Sequence, residues 1–113
     1  MYPQKGDIIM IDFDPQRGNE IMKIRPALVV SSSKYNKYTN RVAVMPITHA
    51  RSRVKVPSLI KYTGKNIDGY IDTLQLYTLD YGARGWDYVE HVQNSIIIKT
   101  INAIQTDILG IFG

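Results

Sequence analysis

Residues 23–32 have the sequence Lys23-Ile24-Arg25-Pro26-Ala27-Leu28-Val29-Val30-Ser31-Ser32. The apolar run after the proline favours a short strand that is buried on both faces. A second run, Val42-Ala43-Val44-Met45-Pro46-Ile47, ends at Thr48. If the two strands are neighbours, the guanidinium of Arg25 and the hydroxyl of Thr48 meet at one rim of a sheet. Arginine holds oxyanions with a planar, permanently charged fork, so this pair suits chemistry on a phosphate.

Clusters of turn-forming residues divide the rest of the chain into further short strands. We expect strands at 8–13, 26–31, 41–47 and 54–60, one or two at 70–79 and a last one at 88–92, with a helical turn near 35–38 and a loop at 82–85. Isoleucines then recur at helical spacing, which predicts one amphipathic helix. Its markers are a cap at Asn94 or Ser95, the stripe Ile97, Ile101, Ile104 and Ile108, and a stop at Gly110. The predicted fold is mainly β (α+β), a small barrel of strongly curved antiparallel strands with a C-terminal helix.

Length and composition favour one domain over residues 1–113. The chain has no cysteine, which excludes disulfides and thiolate metal sites. Its first residues do not resemble a signal peptide, and we expect no apolar run long enough to span a bilayer. We therefore predict a cytoplasmic protein with no membrane partner.

Charge is distributed unevenly along the chain. Residues 21–67 contain ten lysines and arginines and no acidic residue, whereas residues 68–113 contain two basic and six acidic residues. A basic segment of this length favours a polyanion-binding face over an ordinary solvated surface. Tyr35, Tyr38 and Tyr62 lie among these cations, and rings interleaved with cations are typical of proteins that bind single-stranded nucleic acid.

Each candidate residue also has a simpler interpretation. By spacing alone Arg25 is as consistent with a solvent-exposed strand flank as with a site, and Thr48 alone is more simply a turn residue. His49 is the obvious general base near neutral pH, although an exposed loop histidine explains it as well. Glu20 could orient Arg25 or recognise a base edge. No histidine has a partner at metal-ligand spacing, so we predict no metal site and no cofactor.

Several motifs, in a fixed order, resemble one known family, the MazF/PemK toxins of bacterial toxin–antitoxin systems. The resemblance covers nearly the whole chain. The motifs are Gly6-Asp7-Ile8, Asp12-Phe13-Asp14-Pro15, Gly18-Asn19-Glu20, Arg25-Pro26-Ala27-Leu28-Val29-Val30, Tyr35-Asn36, Pro46-Ile47-Thr48, Asp68-Gly69, Gln75, Leu79-Asp80 and Ala83-Arg84.

The resemblance implies an SH3-like barrel, a homodimer and a metal-independent endoribonuclease that cleaves single-stranded RNA through attack of the 2′-hydroxyl. It also implies an antitoxin partner whose acidic, flexible tail covers the RNA groove, and DNA binding by the toxin–antitoxin complex. Arg25 and Thr48 match the family's catalytic pair by position. The residues predicted to bind RNA are Glu20, Lys23, Tyr35, Asn36, His49, Arg51, Arg53, Gln75 and Arg84.

Two positions depart from the family pattern, which usually has glycine in place of Ile24 and often has aspartate in place of Leu74. We expect these departures to affect the cleavage sequence more than the activity. Three other functions remain open at this point: a gyrase-binding, non-enzymatic toxin of the CcdB type on the same fold, a barrel that only binds nucleic acid, and an inactive member that titrates antitoxins.

Overall fold

The structure is a computed structural model that describes residues 1–13, 24–49 and 59–112. Within these ranges, the chain forms seven strands and three α-helices. In chain order they are β1 (Asp7–Asp12), β2 (Ile24–Val29), α1 (Ser33–Thr39), β3 (Arg41–Thr48), β4 (Leu59–Thr63), β5 (Asp68–Asp72), β6 (Tyr77–Asp80), α2 (Tyr81–Arg84), β7 (Trp86–His91) and α3 (Asn94–Ala103).

All strand pairs are antiparallel, and their order is β4-β5-β3-β2-β1-β7, with β6 also paired to β3. The central strand β3 therefore has different neighbours along its length. It pairs with β6 through Arg41–Val44 and with β5 through Ile47 and Thr48. The two ends of the strand order meet where the Tyr62 hydroxyl of β4 donates a hydrogen bond to Glu90 of β7. These features confirm the predicted curved antiparallel barrel, here a half-barrel, with a C-terminal helix.

Alternation along the strands sends apolar side chains to both faces of the sheet. The first cluster contains Ile9, Ile11, Phe13, Ala27, Val29, Val42, Val44, Leu79 and Tyr81. The second cluster contains Ile8, Leu28, Val30, Met45, Ile47, Tyr62, Ile71 and Val92. Because β2 contributes to both clusters, Ala27, Leu28 and Val29 are all buried, as the continuous apolar run predicts.

The C-terminal helix lies on the second cluster. Its contacts come from Ile96, Ile97, Ile104 and Ile108. Two local predictions about it are wrong. Gln93, not Asn94 or Ser95, occupies the N-cap, and its carbonyl accepts the first helical hydrogen bonds. The helical path also does not stop at Gly110, because a π-helical turn at Ile104–Ile108 and a 3₁₀ turn at Leu109–Phe112 continue it.

The 19-residue segment Asn94–Phe112 is long and apolar enough to cross a membrane by length and composition, with a mean hydropathy of 1.3 over an 18-residue window. The expectation that no apolar run reaches this length is therefore wrong. Such a segment is also what an amphipathic helix on a sheet provides, since its isoleucines on one side contact the second cluster.

A short helix, α2, replaces the loop predicted at 82–85. The side chain of Asp80 accepts a hydrogen bond from the Ala83 amide at 3.0 Å, which caps the helix. Gly85 ends it in a left-handed conformation (φ 75°) that glycine adopts at little cost. Of the strand predicted at 54–60, only the last two residues are described, and they begin β4.

Candidate active site

Arg25 and Thr48 lie on the paired strands β2 and β3, at the end where the two strands separate. The ladder between the strands pairs Val29 with Val44 and Ala27 with Pro46. Two further steps in the same register bring Arg25 opposite Thr48. Directly opposed residues of antiparallel strands project on the same face of the sheet, here the face of the first cluster. The two residues that the sequence predicts as catalytic therefore lie at the same end of this strand pair and on the same face of the sheet.

The two strands form a fork at this point, and different neighbours hold its arms. On one arm Arg25 pairs with Ile11 of β1. On the other arm Thr48 pairs with Tyr70 of β5, whereas the β2–β3 ladder already ends at Ala27 and Pro46. Proline has no N–H to extend a ladder, which suits this end. The Arg25 and Thr48 side chains therefore flank an opening in the sheet.

A close backbone approach holds the second arm of the fork. A Cβ atom built on Gly69 would lie 2.9 Å from the Thr48 carbonyl oxygen and 2.8 Å from Cγ2 of Ile47. Both distances are too short for a real side chain, so only glycine lets β5 pair this closely with the end of β3. Gly69 is a positioning residue for Thr48, and its importance follows from the geometry rather than from its sequence alone.

A chain of ring contacts orients the guanidinium of Arg25. Its Cζ atom lies 5.5 Å from the centre of the Phe13 ring, within the range of a cation–π contact. Phe13 in turn meets Tyr77 edge to face, with 5.0 Å between ring centres. The Tyr77 hydroxyl donates a hydrogen bond to Oε1 of Gln75 at 3.1 Å. Two aromatic rings thus link the predicted RNA-binding residue Gln75 to Arg25.

Phe13 and Tyr77 are residues of the site that the sequence did not single out for it. The signal available was weak: an aromatic residue directly after β1 is an ordinary core residue, and Phe13 is indeed buried. Only the pairing of β1 with β2 shows that its ring lies beneath the guanidinium of Arg25.

His49 follows Thr48 directly and is exposed at the end of β3. This position lets its ring reach a substrate held at the fork. Tyr35 lies on α1 with a side chain that is 38% accessible. Both remain predicted RNA contacts, His49 beside the fork and Tyr35 at the opposite end of β3.

Asn36, also predicted to bind RNA, is fully buried. Its amide nitrogen donates to the carbonyl oxygens of Pro3 at 2.8 Å and Ser31 at 3.3 Å, and its Oδ1 accepts a hydrogen bond from the Ser31 hydroxyl. The side chain therefore ties α1 to the N-terminal segment, and this location does not fit an RNA contact. A buried asparagine satisfies its polar groups inside the protein, which the sequence pattern alone does not reveal.

Arg84 has a similar structural task. Its Nη1 atom donates a hydrogen bond to the Asp12 carbonyl oxygen at 2.8 Å, and the side chain is half-buried. This contact fastens α2 to the end of β1, one residue before Phe13. Arg84 thus supports the aromatic contact of Arg25, and any RNA contact would use its remaining donors.

The predicted RNA-binding residues Glu20, Lys23, Arg51 and Arg53 lie outside the described residues. Among residues 1–13, 24–49 and 59–112, no group of three or more histidine or acidic side chains is placed to hold a metal ion.

The sequence and the fold match one family. The model of the PemK-like, MazF-like toxins of type II toxin–antitoxin systems matches residues 4–107. The endoribonuclease toxin MazF of Escherichia coli K12 is 34% identical over 83 residues, which are 74% of this chain and 73% of that protein. Endoribonuclease PemK of Escherichia coli is 26% identical over 106 residues, or 91% of this chain and 80% of that protein.

The architecture is that of a solved member of the same family. A crystal structure of MazF from Deinococcus radiodurans superposes with a TM-score of 0.80 at 25% identity, covering 97% of this chain and 98% of that chain. The family model, the sequence relatives and the superposition all point to the same family. The chain therefore belongs to the family of PemK-like, MazF-like toxins of type II toxin–antitoxin systems.

Proposed function

We propose that this chain is the toxin of a type II toxin–antitoxin system and acts as a sequence-selective, metal-independent endoribonuclease on single-stranded mRNA, which arrests translation and growth. The observation that supports this function best is the location of Arg25 and Thr48 on the two arms of the fork, beyond the last pair of the β2–β3 ladder. The similarity of this chain to proteins named endoribonucleases favours RNA cleavage over gyrase binding as its activity. Residues 1–113 form one MazF/PemK-like domain that works in the cytoplasm.

The reaction we propose is an internal transfer within the RNA. The 2′-oxygen forms a bond to the adjacent phosphorus, and the bond from phosphorus to the 5′-oxygen of the next nucleotide breaks. The 2′-hydroxyl loses a proton, and the leaving 5′-oxygen gains one. The products are a 2′,3′-cyclic phosphate and a 5′-hydroxyl, and no water or cofactor enters the balance.

Arg25 stabilises the negative charge that develops on the phosphate oxygens during this transfer. A guanidinium keeps its proton under ordinary conditions, so charge stabilisation suits it better than proton abstraction. Phe13 holds the guanidinium in place and so reduces the reorganisation needed when substrate binds. Thr48 holds a phosphate oxygen from the other arm of the fork.

The proposed partners follow from charge and exposed surface. A basic segment without acids suits both RNA and the acidic tail of an antitoxin. The homodimer is supported by apolar side chains exposed along the terminal helix, namely Ile98, Leu109, Ile111 and Phe112. We assign no metal, cofactor or membrane to the activity, and we assign DNA binding to the complex with antitoxin.

Cleavage of a long RNA in the presence of EDTA tests this function. We expect defined fragments that end in 2′,3′-cyclic phosphates, from the wild-type protein and not from Arg25→Ala. A matched control is Lys99→Ala, which removes an exposed cation from α3, the helix that lies on the second cluster. Intact RNA with the wild-type protein, or equal cleavage by Arg25→Ala, would contradict the proposal.

A further inference from the structure

The outward face of α1 combines an aromatic ring with two cations. Asn36 points into the protein, and the helical repeat places Lys34, Lys37 and Tyr38 on the opposite side. All three are exposed, and the Tyr38 side chain is 74% accessible. A ring of this exposure with two exposed lysines on the same short helix offers a stacking platform and two phosphate contacts.

This helix covers the same face of the sheet as the fork. The Tyr81 hydroxyl donates a hydrogen bond to the Asn36 carbonyl oxygen at 2.7 Å, and Tyr81 belongs to the first cluster. Phe13, which lies beneath the Arg25 guanidinium, belongs to that cluster too. The helix and the fork therefore lie at opposite ends of β3, about 23 Å apart at the usual rise of a strand.

The surface between them carries groups suited to RNA. Tyr77 beside the fork is partly exposed, and Nη2 of Arg41 donates to the Thr78 carbonyl oxygen at 3.4 Å, which places a cation over β6. Residues 24–49 contain no acidic side chain. Asp80 of β6 is the acid that faces Arg41 in the ladder, and it is half-buried and caps α2. A polyanion along this line therefore meets cations at both ends.

We propose that the outward face of α1, together with Arg41, is a second contact surface for the single-stranded RNA substrate, remote from the bond that is cleaved. This inference rests on the proposed function and adds a path for the RNA. The occupant is a chain with both phosphates and unpaired bases, because the face offers a ring as well as cations. The path of about 23 Å corresponds to at most about seven nucleotides at the ~3.4 Å rise of a stacked strand, and to fewer when the strand is extended.

Binding of two RNAs of different length tests the proposal. Both carry a single 2′-deoxy nucleotide at the cleavage site, so neither is cut. One has about five nucleotides, about two on either side of the cleavage site, and ends before α1, whereas the other has about ten on either side and reaches it. We expect Tyr38→Ala to weaken binding of the long RNA about five-fold or more and Tyr38→Phe to restore it, because stacking needs only the ring. Lys34→Ala and Lys37→Ala each reduce the salt dependence of binding, by about 0.7 in the logarithmic slope.

Matched controls come from surfaces outside the proposed path. Tyr88 on β7 is 58% accessible and sits beside Asp87, and Lys99 is an exposed lysine on α3. Tyr88→Ala and Lys99→Ala should leave the Kd of both RNAs at the wild-type value. These two variants show how much an exposed tyrosine or lysine outside the proposed path contributes to RNA affinity.

Three results would overturn the proposal. The α1 variants could bind RNA with the wild-type Kd and salt slope, or they could lose equal affinity for the short and the long RNA. They could also bind a polyglutamate peptide more weakly while their RNA binding stays unchanged. The last result would assign the face to an acidic protein segment. Cleavage by the wild-type protein and by Arg25→Ala is measured in a separate assay. If α1 does not contact RNA but Arg25-dependent cleavage is observed, the second contact surface is wrong and the proposed function stands.

Discussion

The Tyr62 hydroxyl donates a hydrogen bond to the Glu90 carboxylate and thereby joins β4 to β7, the two ends of the strand order. The backbone N–H of Asn66 donates to Oε1 of the same carboxylate at 2.7 Å. The half-barrel is therefore closed at this point by side-chain contacts to one acid.

This closure predicts sensitivity to acid. Burial opposes the charged form of Glu90, but the hydrogen bonds from Tyr62 and Asn66 outweigh it and hold its pKa below the ordinary value of 4.5. A lowered native pKa stabilises the fold above pH 4.5, and this contribution is lost as the pH falls through the native pKa. We expect the free energy of unfolding to decline below pH 4.5 more steeply for the wild-type protein than for Glu90→Gln. Equal slopes in urea titrations at several pH values would contradict this.

The same contact has an alkaline counterpart. Burial, followed by the neighbouring Glu90, raises the pKa of the Tyr62 phenol above its ordinary value of 10.0. The unfolded chain ionises this tyrosine near pH 10 while the folded chain resists, so stability falls above pH 10. Tyr62→Phe should lose this alkaline dependence, and it should lower stability at neutral pH by about 1–3 kcal/mol because Glu90 loses a buried donor.

Replacing Phe13 with leucine should reduce the rate of cleavage. The change keeps an apolar core residue but removes the ring beneath Arg25, so the guanidinium loses a contact worth about 0.5–2 kcal/mol. We expect kcat to fall about two- to 30-fold, with a smaller change in KM. Phe13→Tyr keeps the ring and should retain most of the rate. A wild-type kcat for the leucine variant, measured on a folded protein, would show that the ring contact does not position Arg25.

Gly69→Ala should damage the fork. The added Cβ would collide with the Thr48 carbonyl and with Ile47, so β5 must move away from the end of β3. Overpacking of this kind costs about 1–3 kcal/mol of stability, and the shift of Thr48 should lower kcat about ten-fold or more. Gly110→Ala is the matched control, because no atom lies within 4 Å of its added Cβ. Thermal unfolding and single-turnover cleavage of both variants provide the comparison.

Asn36→Ala should affect stability rather than RNA recognition. It leaves the Pro3 carbonyl and the Ser31 hydroxyl without their partner in a buried position, at a cost of about 1–3 kcal/mol. Asn102→Ala, at an exposed helical position, should cost far less. If Asn36→Ala instead kept its unfolding temperature and lost RNA affinity, the original sequence-based prediction would be correct and the structural assignment wrong.

The two departures from the family pattern should alter sequence preference. Ile24 and Leu74 are 49% and 48% accessible and lie directly beside Arg25 and Gln75. Exposed side chains next to the reacting groups contact the flanking nucleotides, so Ile24→Gly and Leu74→Asp should change which RNA sequence is cut while Arg25-dependent cleavage persists. Mapping the fragment ends on one long RNA checks this. An unchanged set of cleavage sites would remove any functional meaning from these departures.

The parts of this molecule that sequence predicts well are those set by periodicity. The run from Ala27 to Val30 predicts a doubly buried strand because every position is apolar, and the isoleucine spacing predicts the terminal helix. The same periodicity does not fix the ends of the helix. Main-chain hydrogen bonds to the Gln93 carbonyl decide where α3 begins, and a π-helical turn continues the helical path beyond it.

The sequence predicts the two candidate catalytic residues of the site, but it does not predict the residues that hold them in position. Arg25 and Thr48 stand out because each flanks an apolar strand, and the antiparallel register brings them together. Asn36 is predicted to bind RNA because it lies beside cations in the sequence, but such a residue can point inward, and its side chain is buried. The roles of Phe13 and Gly69 depend on what the neighbouring strand places within a few ångströms, and this distance has no signature in the linear sequence.

The fork gives this enzyme a mechanical property. The two predicted catalytic residues lie on the two arms of a gap rather than on one continuous ladder. Arg25 is held by its pairing with β1, and Thr48 by its pairing with β5. The described β2–β3 ladder ends at Ala27 and Pro46, and a local movement of β5 with the end of β3 costs far less than global unfolding. A molecule that binds outside the fork and draws β5 away from β1 would therefore inhibit by increasing the separation of Arg25 and Thr48.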